Sequence, residues 1–181
     1  GVISPSGEMI FPDMQMILFS EHVLKKNPNS KIVFDVKCSK LLEEAILKSN
    51  GTPLMSKTGH TFIKSMIRDN NAILGGEMSG HIFFNDRWPG YDDGVYAGAR
   101  MLEILAECEG EDIFNALPKL ISTPEINLIT TDEEKFMIID EFKKISNFED
   151  CKVIEIDGIR VEFDNGWGLL RASNTSPVLV L

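Results

Sequence analysis

The sequence predicts an α/β domain with a layered, mostly parallel sheet, followed by a small α+β domain with an antiparallel sheet. Three observations predict this fold class. Helix-like and strand-like segments alternate over about the first 115 residues, which is typical of parallel sheets covered by helices. The last third carries short strand-like segments separated by turn residues, and two prolines with short polar steps lie between the two regions. We therefore expect domains at residues 1–118 and 124–181.

The elements of the first domain follow from apolar spacing and from residues that begin or end helices. Pro12 is favoured as a first helical residue, and Asn27-Pro28 ends that helix. Ser39 can cap the second helix, and Asp92-Asp93 favours the start of the last one, because negative charge is stabilised at a helix N-terminus. The predicted order is helix 12–26, strand 31–36, helix 40–50, strand 52–57, helix 60–71, strands 72–77 and 81–85, and helix 92–108.

The second domain is predicted to contain one helix against a hairpin-rich sheet. Thr131 and Glu134 stand in capping-box spacing at the head of helix 132–145, which follows a strand at 125–130. Beyond the helix, three strand-like segments are separated by turn sequences that are typical of hairpins. The segments are KVIEIDG, IRVEFD and GWGLLR.

Composition excludes several classes of function. The 181 residues carry a net charge of -10, whereas nucleic-acid and acidic-membrane binders need clustered excess Lys and Arg. No apolar run is long enough to span a membrane, and Cys38, Cys108 and Cys151 suggest neither a disulfide framework nor a zinc knuckle. A reducing cytoplasm fits this pattern. The first residue is not Met and the chain opens on strand-like residues, so we expect the sequence to be part of a longer protein.

The stretch RASNTSP crowds hydrogen-bond donors between two apolar segments near the end of the chain. We expect its polar residues to lie in a loop between strands. An arginine fork beside short hydroxyl and amide donors matches the oxygens of a phosphate. The alternative is a polar hairpin loop whose side chains bond to their own backbone. The candidate residues are Arg171, Ser173, Asn174, Thr175 and Ser176.

The stretch GGEMSGHIFF places Glu77, Ser79 and His81 on a glycine-framed loop that leaves a strand. These side chains combine donors and acceptors, as a polyhydroxyl ligand requires, and the glycines allow close approach of the backbone. One alternative is an exposed polar turn. Another is a metal site formed by His60, Glu77 and His81, although the chain has only 3 histidines to supply ligands.

Lys37 and His60 are candidate proton carriers. Lys37 falls just past an apolar strand, and His60 stands at a loop-to-helix turn preceded by Gly59. Ligands of open α/β sheets gather outside the carboxyl ends of the strands, where both residues and the Glu77 loop are expected. Either side chain can donate or accept a proton if its pKa is tuned. The alternatives are a solvated charge for Lys37 and a helix-capping histidine for His60.

Five stretches together closely resemble the bacterial phosphomannomutase/phosphoglucomutase branch of the α-D-phosphohexomutases. The stretches are DVKCS, KTGHTFIK, GGEMSGHIFF, GYDDGVYAGARMLEIL and GWGLLRASNTSPVLVL. The resemblance runs in order over essentially the whole chain, and Met78 looks like this branch rather than the phosphoglucosamine type, which commonly carries Gln. Members of this family have four domains, of which the chain resembles the third and fourth.

The resemblance implies a role for each candidate residue. It implies that Glu77 and Ser79 hold sugar hydroxyls and that His81 lines the same loop. Lys37 and His60 match residues proposed to assist proton transfer. The residues implied to hold the substrate phosphate are Arg171, Ser173, Asn174 and Thr175.

The resemblance also implies the reaction, an isomerisation that interconverts mannose or glucose 6-phosphate and 1-phosphate through glucose 1,6-bisphosphate or its mannose counterpart. The family uses a phosphoserine in its first domain and Mg²⁺ on an Asp-Gly-Asp-Gly-Asp-Arg loop in its second, and this sequence contains no such loop. We expect no metal ligands in this chain. The expected partners are a phosphorylated hexose and the N-terminal domains of the same enzyme, and we expect the isolated chain to be inactive. The alternatives are a stand-alone sugar-phosphate binding module and a metal-dependent hydrolase.

Overall fold

The computed structural model describes residues 1–108 and 112–181, which form two compact units, Gly1–Lys119 and Leu120–Leu181. The elements of the first unit are β1 (Val2–Ile3), β2 (Met9–Ile10), α1 (Pro12–Lys26), β3 (Lys31–Asp35), α2 (Lys40–Lys48), β4 (Thr52–Ser56), α3 (His60–Asn70), β5 (Leu74–Gly76), β6 (Ile82–Phe84) and α4 (Gly94–Glu107). The elements of the second unit are β7 (Asn127–Ile129), α5 (Glu134–Ile145), β8 (Lys152–Ile154), β9 (Ile159–Phe163), β10 (Gly166–Ala172) and β11 (Val178–Val180).

The sheet of the first unit has the strand order β4-β3-β5-β6. Strand β3 pairs in parallel with β4 on one side and with β5 on the other, and β6 returns antiparallel to β5. The carboxyl ends of β3, β4 and β5 therefore meet at one edge of the sheet. The loops that follow these three strands are neighbours there.

Helices cover both faces of this sheet because alternate strand residues point to opposite sides. Phe34 packs into the larger core with residues of α1, α2 and α4. Its neighbour Val33 packs on the other face with Ile63 and Ile67 of α3. The first unit is therefore a three-layer α/β/α structure, and the predicted α/β class is confirmed.

The second unit is an antiparallel sheet of five strands in the order β7-β11-β10-β9-β8. Ile139 of α5 packs with Ala172 and Leu179 in its buried cluster. Half of the predicted capping box is present, because Thr131 Oγ1 accepts a hydrogen bond from the Glu134 backbone N–H at 3.2 Å. The Glu134 carboxylate contacts the Thr131 hydroxyl at 3.1 Å rather than the Thr131 backbone N–H, and α5 begins at Glu134 rather than at residue 132. The predicted small α+β fold is confirmed.

Candidate functional site

Three sequence-predicted residues lie at the carboxyl edge of the parallel strands. Lys37 lies two residues past β3, His60 begins α3, and Glu77 directly follows β5. The structure brings the last two loops into contact, since the Gly59 N–H donates to Glu77 Oε1 at 2.7 Å. The His60 and His81 ring centroids are 6.2 Å apart. The edge therefore carries acidic and imidazole groups together.

The loop between β5 and β6 is a tight turn held by its own backbone. The Glu77 N–H donates to the His81 carbonyl at 3.0 Å, and the Gly80 N–H donates to the Glu77 carbonyl at 2.9 Å. Gly80 has φ +95°, a conformation that favours glycine. Ser79 and His81 are exposed on this turn, and His81 Nδ1 lies 2.7 Å from an Asp92 carboxylate oxygen. The turn presents polar side chains to solvent beside Glu77.

Gly75 and Gly76 do not frame this loop as the sequence suggested, because they lie within β5. A Cβ at Gly75 would lie 2.6 Å from Ile67 Cδ1, and one at Gly76 would lie 2.5 Å from Met16 Sδ. These two glycines therefore allow α3 and α1 to pack closely on the two faces of the strand. Gly80 is the glycine that shapes the loop.

Glu77 has a buried carboxylate group, and only one of its two oxygens is hydrogen-bonded within the described residues. Its side chain is 1% exposed, and Oε2 has no hydrogen-bond partner among the described residues. Burial raises the pKa of Glu77 against the lowering effect of the Gly59 N–H, the Asp35 charge adds to the rise, and His81 and His60 oppose it. An unsatisfied buried acceptor is costly, so a hydroxyl donor from a ligand is its natural partner.

Asp35 is a polar residue at this edge that sequence reasoning did not single out. It is fully buried, and its carboxylate accepts hydrogen bonds from the Met78 N–H at 3.0 Å and from Thr58 Oγ1 at 2.9 Å. The available signal was its place as the last residue of an apolar strand, because charged residues are almost never fully buried without partners.

Arg171 does not lie in a loop, contrary to the expectation from the sequence. It belongs to β10, where it pairs with Val180 of β11, because the apolar ladder continues through Arg171 and Ala172 before the chain turns. Its side chain is 5% exposed, and Nε donates to Asp157 at 3.1 Å. Nη2 is buried and has no hydrogen-bond partner among the residues that the structure describes. Nε of the guanidinium is thus hydrogen-bonded to Asp157, and Nη2 is available to donate to an acceptor of a ligand.

The turn after β10 combines internal bonding with exposed donors. Ser173 Oγ contacts Ser176 Oγ at 2.8 Å and accepts from the Thr175 and Ser176 N–H groups at 3.3 and 3.2 Å. For Ser173 the alternative of a self-bonded polar loop therefore holds in part. Asn174 and Thr175 are exposed. In the sequence, these two side chains follow Arg171 by three and four residues.

Within residues 1–108 and 112–181, the group with metal-ligand spacing is His22, Glu103 and Glu107, not His60, Glu77 and His81. It lies on α1 and α4. Glu107 already pairs with Lys26 at 3.3 Å and Glu103 pairs with Arg87. Because Lys26 and Arg87 already pair with these two carboxylates, a metal ion would have to compete with them. We therefore interpret the cluster of His22, Glu103 and Glu107 as a set of ion pairs rather than a metal site.

No helix in the described part of the chain has both the length and the apolar character needed to cross a bilayer.

Comparison with known proteins places both units in one family. Residues 11–122 match the model of the phosphoglucomutase/phosphomannomutase alpha/beta/alpha domain III, and residues 125–181 match that of the phosphoglucomutase/phosphomannomutase C-terminal domain. These matches confirm the resemblance seen in the sequence.

Curated relatives and a solved structure agree with these matches. The chain is 50% identical to a phosphomannomutase/phosphoglucomutase of Pseudomonas syringae pv. tomato, covering 100% of this chain and 39% of that protein. It is 49% identical to a phosphoglucomutase of Neisseria meningitidis serogroup A, covering 100% of this chain and 40% of that protein. A phosphoglucomutase/phosphomannomutase family structure from Burkholderia thailandensis aligns with TM-score 0.93 and 46% identity over 99% of this chain and 38% of its own. The chain thus spans well under half the length of these relatives.

Proposed function

Because the chain belongs to the phosphoglucomutase/phosphomannomutase family, we propose that it supplies substrate recognition to a phosphohexomutase. The enzyme is an isomerase that interconverts mannose or glucose 6-phosphate and 1-phosphate through a bisphosphorylated sugar. One observation carries the proposal. Buried Glu77 and Arg171 each keep a polar atom that has no hydrogen-bond partner within residues 1–108 and 112–181, one an acceptor and the other a donor. Sugar hydroxyls are suitable donors for the Glu77 atom, and phosphate oxygens are suitable acceptors for the Arg171 atom.

The first unit recognises the sugar in this proposal. Glu77 Oε2 accepts from a hydroxyl, and the exposed Ser79 and His81 on the same turn contact neighbouring hydroxyls. Lys37 and His60, at the same edge of the sheet, exchange protons with the hydroxyl that gains or loses the phosphoryl group. The proximity of the Glu77 and His81 loop to α3 supports a role for His60 there.

The second unit recognises the phosphate in this proposal. Arg171 Nη2 donates to a phosphate oxygen while Asp157 holds the other side of the guanidinium. Asn174 and Thr175 add neutral donors from the turn, and Ser173 stabilises that turn from within. A guanidinium fixed by a carboxylate loses less side-chain entropy when it binds.

The complete enzyme is proposed to use Mg²⁺ and glucose 1,6-bisphosphate. The metal supplies charge stabilisation to a transferring phosphoryl group. The sequence contains no Asp-Gly-Asp-Gly-Asp-Arg run, so we assign no metal ligand to this chain. Its partners are then a phosphorylated hexose and the N-terminal domains of the same enzyme. All three cysteines lie in the described residues and none forms a disulfide bond, which favours a cytoplasmic location.

Replacement of Arg171 tests the phosphate assignment. Arg171→Ala in the full-length enzyme is expected to weaken glucose 1-phosphate binding by about 2 kcal/mol, or about thirtyfold, because charge-assisted bonds are lost. Arg171→Lys is expected to recover only part of the affinity, since an ammonium lacks the planar fork. Isothermal titration measures both constants.

Lys152→Ala is the charge-matched control. Lys152 is exposed on β8, two strands away from β10, and its loss changes the net charge equally. We expect its effect on binding to be small. Equal affinities for the wild type and Arg171→Ala would remove the phosphate assignment.

A further inference from the structure

We infer that Asp35 is a positioning residue whose buried carboxylate holds the Glu77 loop and the turn before His60 in one fixed arrangement. Its carboxylate bonds to the Met78 N–H, the amide that directly follows Glu77, at 3.0 Å. It also bonds to the Thr58 hydroxyl, two residues before His60, at 2.9 Å. The consequence for sugar binding rests on the proposed function, whereas the geometry stands on these contacts.

The sheet topology explains why this residue reaches both loops. Strand β3 lies between β4 and β5, and Asp35 is its last residue. Asp35 is in register with Ser56 of β4, and the preceding Phe34 is in register with Gly76 of β5. Thr58 and Met78 each lie two residues past those partners. A carboxylate at this position accepts a bond from each side at once.

The contacts close into a ring. Asp35 binds the Thr58 hydroxyl, the adjacent Gly59 N–H donates to Glu77 Oε1 at 2.7 Å, and the N–H of the residue after Glu77 returns to Asp35. Glu77 is thus held through its side chain and through the next peptide group. With Oε1 tied to Gly59, the direction of Oε2 is determined by the ring rather than by Glu77 alone.

The charge of Asp35 acts on the same carboxyl group. Burial is the main cause that raises the pKa of Glu77, and the Asp35 charge adds to it against the opposing His81 and His60. The Cys38 thiol, which donates to Asp35 at 3.1 Å, also has its pKa raised by burial and by Asp35. Asp35 therefore shapes the site by hydrogen bonds and by charge together.

Asp13 offers a matched comparison because it is an equally buried carboxylate outside the ring. It is 1% exposed and accepts from the Met14 and Ser39 N–H groups at 2.9 and 3.1 Å. These bonds join the first turn of α1 to the N-cap of α2 and touch neither the Glu77 loop nor the turn before His60. Loss of Asp13 removes a buried acceptor without opening the ring.

Amide hydrogen exchange on the 181-residue chain tests the ring without any ligand. In Asp35→Ala, the Gly59 and Met78 amides are expected to exchange about tenfold faster, relative to strand amides such as that of Leu74. The Met78 N–H loses its acceptor, and the Gly59 N–H bonds to a Glu77 carboxylate that the ring no longer holds in place. Asp13→Ala is expected to accelerate Met14 and Ser39 instead. Unchanged relative protection of Gly59 and Met78 in Asp35→Ala would overturn the inference.

A second pair of variants keeps the test decisive if Asp35→Ala does not fold. Thr58→Val removes one hydroxyl from the ring at constant shape, and Thr58→Ser keeps it. We expect faster Gly59 exchange in Thr58→Val and wild-type exchange in Thr58→Ser. Equal Gly59 exchange in these two variants would refute the positioning role.

A binding measurement separates this inference from the proposed function. The ratio of glucose 1-phosphate affinity to inorganic phosphate affinity reports the sugar contacts, because both ligands carry the phosphate. Asp35 does not lie in the unit that carries Arg171, so its replacement is expected to leave the phosphate contacts unchanged. We expect Asp35→Ala and Thr58→Val to lower this ratio at least severalfold, and Asp13→Ala to leave it unchanged. If the wild type shows no preference for the sugar phosphate, the sugar assignment fails, while the exchange pattern still decides whether Asp35 positions the loop. A normal ratio beside accelerated exchange would refute the functional part of the inference.

Discussion

At the scale of single residues, two candidate site residues, Glu77 and Arg171, carry charged groups that are buried and only partly satisfied. Glu77 is 1% exposed and Arg171 is 5% exposed, and each keeps one side-chain atom without a partner in the described chain. A buried polar atom without a partner destabilises the folded protein. In the proposed function, a ligand supplies the missing bond at Glu77 and at Arg171.

The raised pKa of Glu77 makes a prediction about stability and pH. Glu77 binds its proton more tightly when folded than when unfolded, so its ionisation destabilises the folded state as pH rises from its ordinary value of 4.5 through the higher folded value. Glu77→Gln removes this ionisation. We therefore expect the free energy of unfolding to fall less between pH 4 and pH 7 in Glu77→Gln than in the wild type.

Urea unfolding at both pH values measures the effect of Glu77→Gln, and the difference between variant and wild type removes the contribution of Asp13, whose pKa burial also raises. Glu8→Gln serves as the control, because Glu8 is an exposed carboxyl group. If Glu77→Gln and the wild type lost stability in parallel, the ionisation of Glu77 would be excluded as a cause.

At the scale of secondary-structure elements, α4 is anchored by a buried ion pair. Arg100 donates to both carboxylate oxygens of Asp86, at 2.7 and 3.0 Å, and its guanidinium lies 4.2 Å from the Phe84 ring centroid. Burial alone would raise the pKa of Asp86, but the Arg100 bonds outweigh it and hold that pKa below its ordinary value. The pair fastens the helix to the loop after β6.

Breaking this pair is predicted to be costly. Arg100→Met removes both Arg100 bonds from the Asp86 carboxylate, whose side chain is 7% exposed, and leaves it a longer contact of 3.6 Å with Arg87 Nε. We expect a loss of about 3 kcal/mol in the free energy of unfolding at pH 7. The loss is expected to shrink as pH falls below 3.8 and Asp86 becomes protonated. Urea unfolding of the chain measures both.

Two variants control for the Arg100 prediction. Adding Asp86→Asn to Arg100→Met removes the buried charge that has lost its Arg100 bonds and is expected to recover much of the stability. Arg68→Met breaks an exposed pair with Asp69, whose side chains are 76% and 60% exposed, and is expected to have little effect. Similar losses in Arg68→Met and Arg100→Met would show that burial is not the reason.

At the scale of the whole molecule, the chain divides into Gly1–Lys119 and Leu120–Leu181, and the residues on both sides of that division are exposed coil. We propose that the two units fold as separate domains joined through residues 118–124. Lys119 supplies a trypsin site in this window.

Limited trypsin digestion is expected to cut first after Lys119, because exposed coil is cleaved before hydrogen-bonded elements. Mass spectrometry of the early products identifies the cleavage site. Initial cuts after Lys31 in β3 or Lys152 in β8, with residues 118–124 intact, would show that the domain boundary does not lie at residues 118–124.

The isolated chain is predicted to show no mutase turnover. The proposed reaction needs a nucleophile that holds a phosphoryl group while the sugar reorients. The candidate residues of this chain are proposed to bind substrate or to carry protons instead. General acid-base action contributes about 10²- to 10⁴-fold, and only to a transfer that has a phosphoryl donor.

A coupled glucose 1-phosphate to glucose 6-phosphate assay, with Mg²⁺ and glucose 1,6-bisphosphate added, compares the 181-residue chain with the full-length enzyme. Turnover that stays with the purified chain would show that a nucleophile within it was overlooked. Binding of glucose 1-phosphate without turnover by either protein would favour a sugar-phosphate binding module.

The sequence by itself determined the two fold classes, the order of the elements from α1 onward and the stretches that carry the candidate sites, but not the pairing of β1 with β2. Local signals suffice for these, because apolar periodicity, the Ser39 cap and the hydrogen bond from the Glu134 N–H to Thr131 act over a few neighbouring residues. Only the tertiary structure decided that Arg171 lies in β10 and that Asp35 joins two loops. Those facts depend on which strands become neighbours, and burial and charge at a sheet edge arise from residues distant in the chain.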